Sequence, residues 1–311
     1  MLRIFVAGGT GVLGRRVIPE LIASGFRVTA ASRSDKSRAT LEALGAESVA
    51  MNLFDAADVK RAVGEQDVVI NLATHVPAGT KRALLPGAWR ENDRIRTVGA
   101  ANLAAAAKVG GADALIQESF APIYEDGGDR WIDETWPVRP ARYNRSTLEA
   151  ERAATMFTRR GGRGVILRFA YFYGADGFAT REMIDLVRKG VSPLVGAPDA
   201  FYSTVSHDDA AMAVLAALHV PAGIYNVSDD EPLTRQEWLD SLARAIGVRP
   251  PRMIPGWVSA LGGSKSDLLG RSQRLSTKKL KDVSAWLPTT PSIKDAWPTL
   301  AREIAAASPQ E

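Results

Sequence analysis

Glycines stand at 8, 11 and 14 in the segment Phe5-Val-Ala-Gly8-Gly9-Thr10-Gly11-Val12-Leu13-Gly14, a spacing suited to holding an anion. Gly8 would permit a tight turn, Gly11 would let backbone amides approach a pyrophosphate with no Cβ between, and Gly14 would let a helix pack on the preceding strand. A helix opening here offers unpaired N–H groups and a partial positive charge to phosphates. The turn, with Thr10, Val12 and Leu13 between its glycines, is therefore expected to bind a dinucleotide. At the end of the second strand, about 20 residues on, an acid would accept from the free ribose hydroxyls of NAD. This chain has Ser32-Arg33-Ser34 instead, and the first acid, Asp35, comes late. An arginine flanked by hydroxyls suits a 2′-phosphate through charge-assisted hydrogen bonds, and Arg38 adds a second positive group. NADP(H) is the expected cofactor, with NAD(H) as the alternative.

The elements that must position this turn are legible from periodicity. Short apolar runs alternate with helix-length amphipathic segments, the pattern of βα units around a parallel sheet. Strands are expected at 2–7, 27–31, 48–51, 68–72, 114–117 and 165–169, and helices at 13–24, 56–63, 93–109 and 142–160. Val68-Val69-Ile70 and Val165-Ile166-Leu167 are continuous apolar runs, as strands covered on both faces should be. The expected fold is a doubly wound α/β Rossmann sheet over residues 1–168, to which 204–228 returns, with a smaller substrate-binding domain built mainly from 169–311. Within that second part a helix runs to Lys189, an extended stretch lies near 201–205, and a helix and a strand follow at 208–219 and 224–227. A further helix opens at Thr234, which forms a capping-box signature with Glu237. Residues 250–266, rich in Pro and Gly, read as a long loop.

Composition excludes several classes of function. The 311 residues contain no cysteine, which removes disulfides, thiolate nucleophiles and cysteine zinc sites together. His75, His207 and His219 lack metal-ligand spacing, so no metal is expected. The 39 basic and 35 acidic residues are interspersed, which argues against a nucleic-acid partner. No apolar run approaches the roughly 18 to 20 residues that cross a bilayer, and no signal peptide is read at the N-terminus, so a cytoplasmic protein is expected. The remaining expected partner is a small-molecule substrate, with a homodimer as one assembly.

The chain resembles the extended short-chain dehydrogenase/reductase family, of the NAD-dependent epimerase/dehydratase type. The resemblance is carried by 7–14, by Asp67-Val-Val-Ile-Asn-Leu-Ala-Thr74, by Arg168-Phe-Ala-Tyr-Phe-Tyr-Gly174, by Val205-Ser-His-Asp-Asp-Ala210 and by Gly223-Ile-Tyr-Asn-Val227. It implies that Leu72, Ala73 and Thr74 pass beneath the cofactor, with Asn52 and Leu53 beside them, and that Phe169, Tyr171 and Phe172 lie near the nicotinamide.

In that family a Tyr-x-x-x-Lys pair and an upstream Ser or Thr carry the chemistry. Here Tyr143 is present, but Thr147 replaces the lysine. Upstream, Ser119-Phe120 and Tyr124 stand where the Ser and a pocket wall are expected, although registering Tyr124 on the family pattern puts Phe120 at the Ser position. The resemblance thus implies Tyr143 as proton donor, Ser119 polarising the substrate oxygen and Thr147 assisting cofactor placement. A phenol near pKa 10 is protonated at neutral pH, the form that donates during carbonyl reduction. The reverse reaction needs phenolate, which an ammonium about 4 to 5 Å away would favour by roughly 3 to 4 kcal/mol. Arg142 and Arg145 have the wrong helical spacing to supply that charge. Phe120, Tyr124, Arg181, Arg271 and Arg274 are the candidate substrate contacts, the three arginines as a basic cluster for a diphosphate. The leading expectation is an NADP(H)-dependent reductase of a carbonyl-type molecule. A cofactor-retaining epimerase, dehydratase or lyase and a non-catalytic NADP sensor are the alternatives.

Overall fold

The central strand Arg3–Ala7 (β1) is buried on both sides, Ile4 and Val6 facing one apolar cluster and Phe5 and Ala7 the other. It belongs to a seven-stranded, all-parallel sheet in a computed structural model that describes residues 1–77, 79–83, 85, 87–253 and 270–307. The other strands are Arg27–Ser32 (β2), Glu47–Ala50 (β3), Val68–Asn71 (β4), Ala114–Phe120 (β5), Arg163–Phe169 (β7) and Gly223–Val227 (β11). Their order is β11-β7-β5-β4-β1-β2-β3. Strand order reverses between β1 and β4, and ligands of open α/β sheets bind outside the strand C-termini at such a point. This is the expected doubly wound Rossmann fold.

Helices cover both faces, as a parallel sheet requires. Gly14–Ala23 (α1), Asp35–Ala43 (α2) and His207–Ala216 (α9) pack on one side, where Val17, Ile18, Leu21 and Val214 meet Ile4, Val6 and Val28. On the other, Ala56–Val63 (α3), Ala100–Val109 (α6) and Thr147–Arg159 (α7) place Val59, Leu103, Ala107, Ala154 and Phe157 against Phe5, Val69 and Leu115. Each fully buried Val or Leu contributes roughly 1.5 to 3 kcal/mol relative to exposure.

A third cluster joins Tyr173 of Tyr171–Tyr173 (β8), Ile184 and Val187 of Phe178–Arg188 (α8), Trp238 and Leu242 of Arg235–Ala245 (α10), and Trp297 of the helix Ile293–Ala307. Short two-stranded pairings link this part to the rest. Arg274–Leu275 (β13) runs beside Trp131–Ile132 (β6), and Leu233–Thr234 (β12) beside Phe201–Tyr202 (β9). Thr204–Ser206 (β10) runs beside β8. Thr234 caps α10 with the expected capping box to Glu237. Of the stretch 250–266 read as loop, 254–266 lie outside the described residues.

Two helices differ from their expected form. After a single turn at Thr80–Ala83 (α4), the segment read as one helix over 93–109 begins early, at Arg90–Arg94 (α5), and passes through a π-helical turn, Ile95–Gly99, before α6. The segment read as a helix over 142–160 opens with a separate 3₁₀ turn, Arg142–Asn144, so Tyr143 precedes α7 rather than lying within it.

Candidate functional site

The glycine turn is held by backbone contacts that leave no room for side chains at two of its three positions. Gly8 has φ +86°, and a Cβ there would lie 2.5 Å from the Leu72 carbonyl carbon. A Cβ on Gly14 would meet Gly8 O and Gly9 Cα at 2.5 Å, the close helix–strand approach expected of this glycine. Gly11 differs: its N–H donates to Gly8 O at 3.0 Å, and a Cβ would find only that oxygen, at 3.3 Å. Space beyond Gly11 is therefore open. Ser34 and Asp55 cap α2 and α3, whereas α1 has no side-chain cap at Leu13. Uncapped N–H groups and the helix dipole at the mouth of an open turn fit a pyrophosphate. Leu13 itself is buried in the core, so its side chain is no cofactor contact, while Val12 is exposed.

This turn opens on a cleft of about 920 Å³ lined by Gly8, Thr10, Gly11, Ser32, Arg33, Arg38, Asn52, Leu53, Leu72, Ala73 and Thr74, among others. The volume lies within the range of ligand pockets. Ser32 is buried and its hydroxyl donates to Val49 O at 3.2 Å, so it supports the strand edge rather than offering a free donor. Arg33 stands at the rim, 76% exposed, with Nη1 3.9 Å from Glu91. Arg38 pairs with Asp35 at 2.7 Å. The Asn52 N–H donates to Asp58 at 2.8 Å. Two guanidinium groups thus reach one end of the cleft, each with a solvated carboxylate beside it that an arriving phosphate would displace.

Deeper in, the expected catalytic residues do not line this cleft. Its wall reaches Ile95, and the next residue, Arg96, is buried. Arg96 Nη1 donates to Thr147 Oγ1 at 2.5 Å, and Nη2 reaches both Glu118 oxygens at 3.0 and 3.2 Å. Burial raises the Glu118 pKa above the ordinary carboxylate range, against the lowering effect of Arg96. Tyr143 is half-buried, its ring 4.8 Å from Trp89. Burial, then Tyr171, push its pKa far above the usual phenol value, with Arg271 and Arg96 opposing. The phenol is protonated at any physiological pH.

Two expected contacts are overturned. Ser119 is fully buried and its Oγ donates to Glu151 Oε1 at 2.5 Å, so it does not polarise a substrate oxygen. Glu151 in turn accepts from Arg168 Nε and Nη2, both at 2.7 Å. Tyr124 is also fully buried: its hydroxyl donates to Asn226 at 2.7 Å beneath the Arg168 guanidinium, and it forms no pocket wall. Both lie near the end of β5, where alternation alone does not say which face the strand's last side chains meet.

Nor do the three arginines assemble into a basic cluster. Arg181 lies on the surface of α8 with Nε on Ala175 O. Arg271 is buried and donates to the Tyr124 and Arg139 carbonyls at 2.9 and 2.6 Å. Arg274 donates to Asp129 O and lies over the rings of Trp131 and Phe201. Phe169 is core. Phe172 packs on Phe169, whereas Tyr171 stacks on Tyr202 at 4.5 Å and meets Phe120 edge-on at 5.4 Å. Phe120, Tyr143, Tyr171 and Phe172 are partly exposed, whereas Tyr202 is buried.

Arg96 and Glu151 carry no signal of a site in the sequence, and Glu118 stands out there only as a substitute acid for Tyr143. The run Arg90-Glu-Asn-Asp-Arg-Ile-Arg96 reads as a solvated helix face, and only the four-residue spacing of Asn92 and Arg96, both buried, hints that one polar stripe turns inward.

A model of the NAD dependent epimerase/dehydratase family matches residues 4–228. The chain is similar to a 3-diazoavenalumate denitrifying reductase of a Streptomyces species, 30% identical over 94% of this chain and 98% of that protein. It is also similar to the 4-hydroxy-2-methyl-3-oxo-4-farnesyl-3,4-dihydroquinoline-1-oxide ketoreductase of Stigmatella aurantiaca, 27% identical over 80% of this chain and 74% of that one. Among solved structures, the UDP-glucose 4-epimerase of Thermus thermophilus, complexed with NAD, superposes with a TM-score of 0.78 at 23% identity, covering 99% of this chain and 100% of its own. That likeness is one of fold.

Proposed function

The chain belongs to the NAD-dependent epimerase/dehydratase family and is an oxidoreductase of the short-chain dehydrogenase/reductase type, and on that premise we propose that it reduces a small carbonyl compound with NADP(H), Tyr143 acting as proton donor. The observation that carries this reading is the half-buried phenol of Tyr143 against Trp89, which its surroundings keep protonated. A protonated phenol is the form that can donate, and hydride transfer makes the substrate oxygen basic enough to take its proton. When bound, NADPH supplies the hydride to the carbonyl carbon. Tyr143 protonates the oxygen, the alcohol leaves, and solvent returns the proton to the phenol. The name of the Stigmatella relative, a ketoreductase, supports this class of substrate.

The cofactor preference rests on Arg33 and Arg38 at the cleft rim, where the end of β2 offers no acid. Backbone N–H groups of the glycine turn would hold the pyrophosphate, and Thr147 would serve the nicotinamide side.

A second reading is favoured by Ser119 being committed to Glu151 and by the Streptomyces relative's name, which couples reduction to loss of nitrogen. An electron-poor carbon that takes hydride while neutral N₂ departs needs no proton donor.

Thermal-shift titration with NADP and NAD, followed by the loss of NADPH absorbance over a panel of ketones and one aryl diazonium salt, tests these readings. A larger shift with NADP and turnover of a ketone support the first. Diazonium turnover that survives Tyr143→Phe supports the second, and no turnover with any acceptor despite tight NADP binding contradicts both.

A further inference from the structure

Thr147 begins α7, four residues after Tyr143, and is 0% exposed. Its hydroxyl oxygen accepts from Arg96, which is 5% exposed and also holds both oxygens of Glu118. A buried ion pair is a poor device for stability, because each ion loses several kcal/mol of hydration that mutual attraction barely restores. Stability alone therefore gives little reason for positive charge at this place. Its delivery is also unusual: Arg96 is the second residue of the π-helical turn Ile95–Gly99, which interrupts an otherwise continuous helix from Arg90 to Val109. π turns are rare and frequent at functional sites.

On the two segments that carry Arg96 and Thr147, several polar atoms are buried without a hydrogen-bond partner among the described residues. They are Arg96 Nε, Asn92 Nδ2 one helical turn earlier, both side-chain polar atoms of Asn144 and the Ser146 hydroxyl. Asn144 and Ser146 lie between Tyr143 and Thr147. Orphaned donors and acceptors cost roughly 1 to 3 kcal/mol each unless something pairs with them, so a polar ligand is the natural partner of the group.

We propose that Arg96 is the positioning cation of this active site: carried in by the π turn, it occupies the place beside Thr147 where a lysine ammonium would otherwise stand, orients the Thr147 hydroxyl and holds positive charge next to Tyr143. The proposal rests on Tyr143 being the proton donor. Because the Thr147 oxygen accepts from Arg96, its own O–H is left to donate to a ligand hydroxyl or carbonyl. The charged and titratable groups facing the phenol are Arg96 and Arg271, with Tyr171 and Tyr202 beside it and Glu118 behind Arg96. Glu118 offsets part of the guanidinium's charge, so the phenol is protonated at neutral pH, and the charge that remains eases its loss of the proton to the substrate oxygen.

The test uses the full-length protein and reads the NADPH dissociation constant by fluorescence, kcat and KM for reduction, and the melting temperature. Arg96→Met combined with Glu118→Gln removes the ion pair as a unit and leaves no stranded charge. Thr147 then loses the partner that orients it, so NADPH binding is expected to weaken about tenfold, the scale of one hydrogen bond, and kcat to fall. Adding Thr147→Lys to that background should recover most of the kcat, whereas Thr147→Lys alone, setting an ammonium against Arg96, should lower both kcat and melting temperature. Unchanged NADPH affinity and kcat in the double variant, or no recovery with the added lysine, would overturn the proposal. If the double variant does not fold, Thr147→Val decides: NADPH affinity falls about tenfold on this account and stays unchanged if the pair is merely structural. Full turnover in Tyr143→Phe would sink the proton-donor reading instead, while the affinity comparisons still judge whether Arg96 serves the cofactor.

Discussion

Ser119 Oγ donates to Glu151 Oε1 at 2.5 Å, and the same carboxylate is clamped by Arg168 through two hydrogen bonds of 2.7 Å. The hydroxyl is thus one leg of a buried ionic support between β5, α7 and β7. Ser119→Ala should cost about 1.5 to 3 kcal/mol of stability, the range for a hydrogen bond to a charged group, and leave kcat nearly unchanged. Thermal unfolding and steady-state rates check this. A kcat reduced by about a hundredfold, the scale of a lost general acid, at unchanged stability would return Ser119 to the reacting oxygen.

The glycine turn allows two substitutions with opposite signatures. Gly8→Ala places a methyl 2.5 Å from the Leu72 carbonyl carbon at a backbone φ of +86°, and should destabilise the fold by several kcal/mol or prevent folding. Gly11→Val meets open space and should leave the melting temperature of the free protein near wild type while abolishing the shift produced by NADP. Normal NADP binding by a folded Gly11→Val protein would place the pyrophosphate elsewhere.

How much of this was legible follows from where each residue's neighbours lie in the chain. The turn at 8–14 is local: one strand, one helix and the spacing between them define it, so its residues and the cleft it faces could be read directly. The place of Arg33 at the cleft rim is legible for the same reason, since it follows directly on β2. Ser119 and Tyr124 were misread because the partners that bury them, Glu151 and Asn226, are 32 and 102 residues away. Arg96 was missed because a cation in a charged helical run looks solvated until the fold brings Glu118 and Thr147 to it. Tyr143 and Thr147 were assigned to one helix, but the backbone breaks into a 3₁₀ turn between them.

At the adenine end, Arg33→Ala should lose roughly 1.5 to 3 kcal/mol of NADP affinity and leave NAD nearly unaffected. Glu91, 3.9 Å from the Arg33 guanidinium, repels an added phosphate. Glu91→Gln should therefore tighten NADP binding several-fold at low salt, with the gain fading as ionic strength rises. Calorimetric titration of both nucleotides measures this, and equal losses for NADP and NAD in Arg33→Ala would contradict the assignment.

His207 gives the fold a pH dependence. Burial lowers its pKa, outweighing the opposing effect of Asp176, whose oxygen lies 2.9 Å from Nδ1. The unfolded imidazole takes up a proton near pH 6.5, and the folded one only at lower pH. The contribution of the neutral ring is thus fully present above about pH 6.5 and is lost as pH falls through the folded value. Asp176 itself is raised by burial, but hydrogen bonds from Arg16 and His207 outweigh this and bring it to about 2, so it stays ionised throughout that window. Melting temperature should decline from pH 7 to pH 5, and His207→Asn should flatten that decline. An unaltered slope in the variant would assign the acid sensitivity to another group.

Tyr143 is proposed to protonate the substrate oxygen during NADPH-dependent reduction. The most direct test is kcat for a ketone that the wild-type protein reduces, measured in Tyr143→Phe at saturating NADPH together with the NADPH dissociation constant. A fall in kcat of at least about a hundredfold is expected, with cofactor affinity nearly unchanged. Turnover at the wild-type rate in that variant, with NADPH still bound, would contradict it.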